Sequence, residues 1–212
     1  MTTHQQYVLA SDNPGKLREM MAMFSPLGIA VRPQSDWQVP PGVEETGSTF
    51  VENALIKARH AASHTGLPAI ADDSGLVVPA LQGEPGICSA RYAGPDANAA
   101  ANMDKLLAAL DGINGADRVA YFFCAMVCLE SAADPAPLMA TGRWHGRILA
   151  KRQGEGGFGY DPIFGVGHAT ESERQLSAAE MSAEEKGKVS HRGQALRKLA
   201  ELVRREYDGI NA

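Results

Sequence analysis

The stretch YVLASDNPGKLREMMAMF, residues 7–24, carries the reading on which the fold turns. Tyr7 to Ala10 is a short apolar run, Ser11 to Lys16 is rich in turn formers, and Leu17, Met20, Met21 and Phe24 recur at i, i+3, i+4 and i+7. That recurrence marks one helix face, so the segment predicts strand, loop and helix in succession. The pattern continues downstream. A second helix is expected from Thr49, where Thr49 and Glu52 have capping-box spacing, to Gly66 and Pro68, with Val51, Ala54, Leu55, Ala58 and Ala62 inward. A third should follow Asp96 with Met103, Leu106, Leu107 and Leu110 inward, and a last should run from about Ser190 with Leu196, Leu199 and Val203 inward. Between them, Leu67 to Ala71, Leu76 to Leu81, Val119 to Leu129 and Leu138 to Ile148 read as strands. Strands interleaved with helices predict an α/β fold, and the two consecutive long strands, read as an antiparallel hairpin, make the sheet mixed.

The 212 residues show no repeat, low-complexity block or long linker, and one domain spanning 1–212 is the simplest organisation. Twenty Lys plus Arg against 25 Asp plus Glu give a formal charge of −5, which disfavours a surface built to grip nucleic acid or an anionic membrane. No apolar stretch has the length of a membrane span, and MTTHQQYVLA lacks a signal-peptide pattern, so the cytoplasm is the expected location. Cys88, Cys124 and Cys128 form no CxxC and no Cys/His cluster, and are expected reduced.

Four places can carry chemistry. Ser11, Asp12, Asn13, Pro14, Gly15 and Lys16 stand where a strand hands over to a helix, where N–H groups, the helix dipole and a lysine favour an anion. The segment is not a Walker A loop, and a capped turn with Asn13 as N-cap fits the same residues. Glu44 and Glu45 precede the second helix, and Asp72-Asp73 close an apolar strand. Adjacent aspartates repel, and a divalent cation such as Mg²⁺ relieves that repulsion, although a solvated acidic turn fits too. Asn53 and Lys57, spaced i, i+4, put a polar stripe on the second helix, which surface solvation explains equally well. Gly154 to Pro162, GEGGFGYDP, offers aromatic faces on a glycine-rich loop, suited to stacking on a base or to anchoring a turn. Lys186 and Ser190-His191-Arg192 set cationic donors at a helix start, suited to reading carbonyl oxygens or holding phosphate, although a solvated helix N-terminus fits the same residues.

In order and spacing these pieces resemble the inosine triphosphate pyrophosphatase family, also called Ham1-like. The matching segments are S-x-N-P-G-K (Ser11 to Lys16), EETGSTFVENALIKAR (Glu44 to Arg59), IADDSGL (Ile70 to Leu76), PGICSARYAG (Pro85 to Gly94), GGFGYDPIF (Gly156 to Phe164) and EEKGKVSHRGQAL (Glu184 to Leu196). Asp12 stands where the family often has Gly, and Cys88 where it often has a larger residue. The resemblance implies an elongated mixed α/β sheet flanked by helices, with two lobes around an active-site cleft, in a homodimer. It implies Mg²⁺-dependent hydrolysis of deaminated purine nucleoside triphosphates, ITP, dITP, XTP and dXTP, to the monophosphate and pyrophosphate. By position it makes Asp73, Lys16 and Glu45 catalytic, and Asp73, Glu45, Glu44 and Asp72 the metal residues. Ser11 to Lys16, Ser74, Phe158, Gly159, Tyr160, Asp161, Lys186, His191 and Arg192 would bind the nucleotide. Mg²⁺ and a local cluster of Lys16, Lys57, Lys186 and Arg192 would then have to override the negative global charge. Two rivals stand beside this reading: a Maf-type pyrophosphatase, against which GGFGYD and SHRG argue, and a nucleotide or single-stranded RNA binder without catalysis.

Overall fold

The computed structural model describes residues 5–40, 42–167 and 175–210. The first helix and strand form as their residues dictate. β1 (Gln5–Leu9) passes through Asn13, whose side chain caps α1 (Pro14–Phe24) with Pro14 at its first position. Met20 and Phe24 are buried, whereas Met21, expected inward, is 49% exposed. α2 (Phe50–Thr65) begins at Thr49 with a complete Thr49/Glu52 capping box and ends at Gly66, whose φ of 67° is the left-handed conformation glycine accepts. α3 (Ala99–Ala109) buries Met103 and Leu106. α4 (Ala183–Val189) is short and polar, and α5 (His191–Ile210) buries Leu196, Leu199 and Val203. Among the described residues no helix is long and apolar enough to cross a membrane.

Among the described residues, six strands make one sheet in the order β2-β1-β3-β4-β5-β6. β2 (Ile29–Pro33) runs parallel to β1 from Gln5↔Ile29 to Leu9↔Pro33, and β3 (Ala69–Val77) runs parallel to β1 through Val8↔Ala69 and Leu9↔Ile70. β4 (Val119–Leu129) and β5 (Leu138–Ile148) have the bounds their sequence predicts, and β6 (Phe164–Val166) pairs antiparallel with β5. The sheet is therefore mixed. Two elements differ from the sequence reading. The runs Leu67 to Ala71 and Leu76 to Leu81 are one strand, β3, which continues through Asp72, Asp73, Ser74 and Gly75, while Pro79–Leu81 turn into a 3₁₀ segment. β2, β6 and α4 have no counterpart in the sequence reading: β2 and β6 are short strands, and α4, although Ser182 and Glu185 cap it, buries no side chain.

The chain divides into two compact units, one from Met1–Asp73, Cys124–Thr141 and Gln194–Ala212, the other from Ser74–Phe123 and Gly142–Gly193. The first has an apolar layer on each face of its strands. Tyr7, Leu9 and Ile70 pack with Met20 and Phe24 of α1 and with Leu196, Leu199 and Val203 of α5. Val8, Ala69 and Ala71 pack instead with Ala54, Ala58, Ala61 and Ala62 of α2. Alternation along β3 thus assigns α1 to the face of Ile70 and α2 to the face of Ala71. The second unit is centred on Leu76, Met103, Leu106, Phe122, Trp144, Tyr160 and Phe164.

Candidate active site

The two-faced alternation of β3 decides what its aspartates do. Asp72 lies on the Ile70 face and its carboxylate meets Lys16 Nζ of α1 at 2.7 Å. Asp73 lies on the Ala71 face, where Lys57 Nζ of α2 is 2.6 Å from Oδ1 and Asn53 Nδ2 is 3.5 Å from Oδ2. Glu45, on the loop before α2, reaches the same ammonium at 3.0 Å. Two carboxylates therefore converge on one cation, leaving a surplus negative charge in a half-buried place. The consequences appear in both partners. Burial opposes the charge of Lys57, but Asp73 and Glu45 more than offset it and hold the ammonium above the ordinary lysine range. Burial pushes the Asp73 carboxyl above the usual carboxylate range, against the pull of Lys57 and with the help of Glu45.

The glycine-bearing turn after β1 is closed on itself. Asn13 Oδ1 accepts from the N–H groups of Gly15 and Lys16 at 2.9 and 3.1 Å, its carbonyl accepts from Leu17, and Ser11 Oγ accepts from Asn13 N–H at 3.2 Å. The N–H groups that sequence reasoning offered to an anion are thus engaged in the cap. Lys16 is the residue of this turn that brings a full positive charge. Asp12 is tied sideways, accepting from Gln34 Nε2 and Ser35 N–H at 3.1 and 3.0 Å. Burial works against its charge, but these bonds prevail and hold its carboxyl below the usual range.

In the second unit a cleft of about 230 Å³ is lined by Ser74, Leu76, Ser89, Asn102, Phe122, Phe158, Gly159, Tyr160, His191 and Arg192. Phe158 is 60% exposed, with Lys186 Nζ at 4.5 Å and Arg192 Cζ at 5.6 Å from its ring centre. Asp161, buried, accepts from Phe158 N–H at 2.7 Å and pairs with Lys186. It fixes the backbone under the exposed ring. Gly157 makes this possible: its φ is +74°, and a Cβ there would lie 2.1 Å from Asp161 Oδ2. Tyr160 is buried and donates its hydroxyl to the Ser89 carbonyl at 2.9 Å, and burial pushes its phenol well above the ordinary value. His191 stacks on Phe122 with ring centres 4.9 Å apart and planes 13° apart. The cleft joins one exposed aromatic face to imidazole and guanidinium donors, a lining suited to a planar, carbonyl-bearing ring.

Comparison with known proteins places the chain. The model of the Ham1 family matches residues 7–202. The chain belongs to the Ham1 family. Among its relatives, the dITP/XTP pyrophosphatase of Thioalkalivibrio sulfidiphilus is 55% identical, covering 92% of this chain and 97% of the relative. That of Methylococcus capsulatus is 54% identical over 94% and 96%. The solved HAM1 protein of Coxiella burnetii superposes with a TM-score of 0.86 at 49% identity, covering 94% of this chain and 98% of that one. The Ham1 protein of Staphylococcus aureus gives 0.84 at 40% identity, with 95% and 100% covered.

In this Ham1-family chain the expected metal residues do not form one group. Glu45 and Asp73 converge, but Asp72 points to the opposite face of β3 and is satisfied by Lys16. Glu44 is exposed, its carbonyl accepting from Thr46. The repulsion within Asp72-Asp73 is thus relieved by two lysines on two faces. Among the described residues no group of three or more His, Cys, Asp and Glu side chains is placed to hold a metal ion. The Glu45 and Asp73 pair nevertheless fits a hard cation of the Mg²⁺ type. Its donors are oxygens, they already meet on one positive charge, and such a cation commonly uses one or two carboxylates with water and substrate phosphates. Lys57 and Asn53 were legible only as a polar stripe; the tertiary fold turns that stripe onto Asp73. Asn102 and Ser89 were not singled out. Asn102 clamps the cleft wall by accepting from Ala93 N–H and donating to the Ala90 carbonyl, and its signal was a polar residue beside Met103 on the inward face of α3.

Proposed function

We propose that this protein hydrolyses deaminated purine nucleoside triphosphates, ITP, dITP, XTP and dXTP, to the nucleoside monophosphate and pyrophosphate. The observation that carries the reading is the convergence of Glu45 and Asp73 on Lys57, a charge-surplus oxygen site that a nucleotide binder without catalysis does not need. Relatives named dITP/XTP pyrophosphatase, at 55 and 54% identity, support it. Glu45 and Asp73 would hold Mg²⁺, which when bound neutralises the charge developing on the phosphates as pyrophosphate leaves. Asp73 orients the attacking water and takes its proton. Lys16 and Lys57 stabilise phosphate oxygens, exchanging a carboxylate partner for a phosphate one. The cleft of the second unit reads the base. Phe158 stacks on it, and His191 and Arg192 donate to the oxygen at C6, where adenine presents an amino group. Each unmatched buried donor costs about 1–3 kcal/mol, so two mismatches give roughly a hundredfold preference or more over ATP. A homodimer in the cytoplasm completes the reading.

The test is direct. The purified protein is incubated with and without Mg²⁺ on a panel of ITP, dITP, XTP, dUTP, ATP and GTP, and pyrophosphate and orthophosphate are measured separately. Mg²⁺-dependent pyrophosphate release, fastest with the deaminated purines, is expected. Orthophosphate in its place, or equal rates with ATP, overturns the assignment. Light scattering of the same sample measures the oligomeric state.

A further inference from the structure

We infer that Asn53, with Gly47 as its counterpart, is a positioning residue that fixes the Glu45 loop against Asp73. The inference rests on the pyrophosphatase reading, in which Glu45 and Asp73 hold the metal. Asn53 is the exception on its helix face: the other fully buried side chains of α2 are Ala54, Ala58, Ala61 and Ala62, and Asn53 is 0% exposed among them. A primary amide in such a place is costly unless both ends are engaged. Its Oδ1 accepts from Gly47 N–H at 2.9 Å, and its Nδ2 lies 3.5 Å from Asp73 Oδ2. One planar group thus spans the loop that carries Glu45 and the strand that carries Asp73.

Helix capping does not account for this. Glu52 and Thr49 already complete the capping box, Glu52 also takes Ser48 N–H, and the backbone N–H of Asn53 is satisfied by the Thr49 carbonyl at 3.1 Å. With Asn53 added, three consecutive loop N–H groups, those of Gly47, Ser48 and Thr49, are held by the first turn of α2. Glu45 lies two residues upstream of Gly47. The close approach requires glycine: a Cβ on Gly47 would lie 2.6 Å from Asn53 Oδ1, 2.6 Å from Glu52 Cβ and 3.0 Å from Asn53 N. Groups that orient metal ligands from behind carry about 10–100-fold in metal affinity or activity.

The experiment uses the full chain without nucleotide and Mn²⁺ as the probe, read by the paramagnetic resonance of free against bound ion. Gly47→Ala and Asn53→Ala should bind Mn²⁺ about 10–100-fold more weakly than wild type, and the Mg²⁺ concentration for half-maximal pyrophosphate release should rise by a similar factor. The ratio of kcat/KM for ITP to that for ATP should stay unchanged, because the base-reading groups are untouched. A merely structural role would lower Tm and leave the Mn²⁺ affinity of the folded fraction alone. Linkage supplies a measurement on wild type: if the clamp favours the metal, the metal favours the clamp, so Mg²⁺ should slow hydrogen exchange at the Gly47 amide. Wild-type Mn²⁺ affinity in a folded variant, or Gly47 exchange indifferent to Mg²⁺, overturns the inference while leaving the pyrophosphatase reading standing. A wild-type protein that needs no divalent ion overturns that reading first.

Discussion

Asp73 shares the ammonium of Lys57 with Glu45, so its negative charge is only partly compensated, and its carboxyl sits above the usual range because burial outweighs the lysine. Asp73→Asn keeps size and hydrogen-bonding reach while removing the charge. It should lower turnover by at least about 10²–10⁴-fold, and equilibrium dialysis should still detect nucleotide binding. Full activity would remove Asp73 from the chemistry. His191 offers the matching test in the second unit. Its ring lies flat on Phe122, so His191→Phe keeps the stacked surface and deletes the nitrogens. The ITP to ATP ratio of kcat/KM should then fall by about tenfold, and an unchanged ratio would show that the base is read elsewhere. At this scale the sequence identified the residue types but not their partners. Asp72 and Asp73 look equivalent as letters; only the pleat sends one to Lys16 and the other to Lys57.

α2 is the element whose start was most legible, because Thr49 and Glu52 form their capping box within one turn and need no distant residue. Its pH behaviour follows. Hydrogen bonds from Ser48 and Thr49 hold the Glu52 carboxyl below its ordinary value near 4.5. A depressed folded pKa contributes stability that is present above the ordinary value and lost as pH falls through the depressed one. Glu52→Gln should therefore lower Tm at pH 7, and the gap from wild type should close as pH falls below about 4.5. A gap independent of pH would mean that the charge of Glu52 adds nothing. α4 was illegible for the converse reason. AEEKGKV has no apolar face, so periodicity is silent, although Ser182 and Glu185 carried a capping-box signal of their own. β3 was split in two because Asp-Asp-Ser-Gly reads as a turn, and burial with lysine partners overrides that local preference.

For the whole molecule, a formal charge of −5 meets a polyanionic substrate. The lysines expected to offset that charge together with Mg²⁺ and Arg192 are each paired in the structure: Lys16 with Asp72, Lys57 with Glu45 and Asp73, and Lys186 with Asp161. Compensated cations steer weakly. The kcat/KM for the Mg²⁺-nucleotide should accordingly change by no more than about threefold between about 0.02 and 0.5 M salt, once specific ion effects are controlled with two salts. A steep fall would restore long-range attraction. Periods, caps and turn formers are local, so the sequence by itself determined the alternation of its longer helices and strands, the starts of α1, α2 and α5 and, through the order of its motifs, the family. The tertiary structure alone decided which carboxylates share a cation, and that Tyr160 and Asp161, held by Ser89 and Lys186, support the cleft beneath Phe158. Those outcomes depend on which side chains meet across residues far apart in the chain. The pleat of β3 and the faces of α1 and α2 set that meeting, and no spacing along the sequence records it.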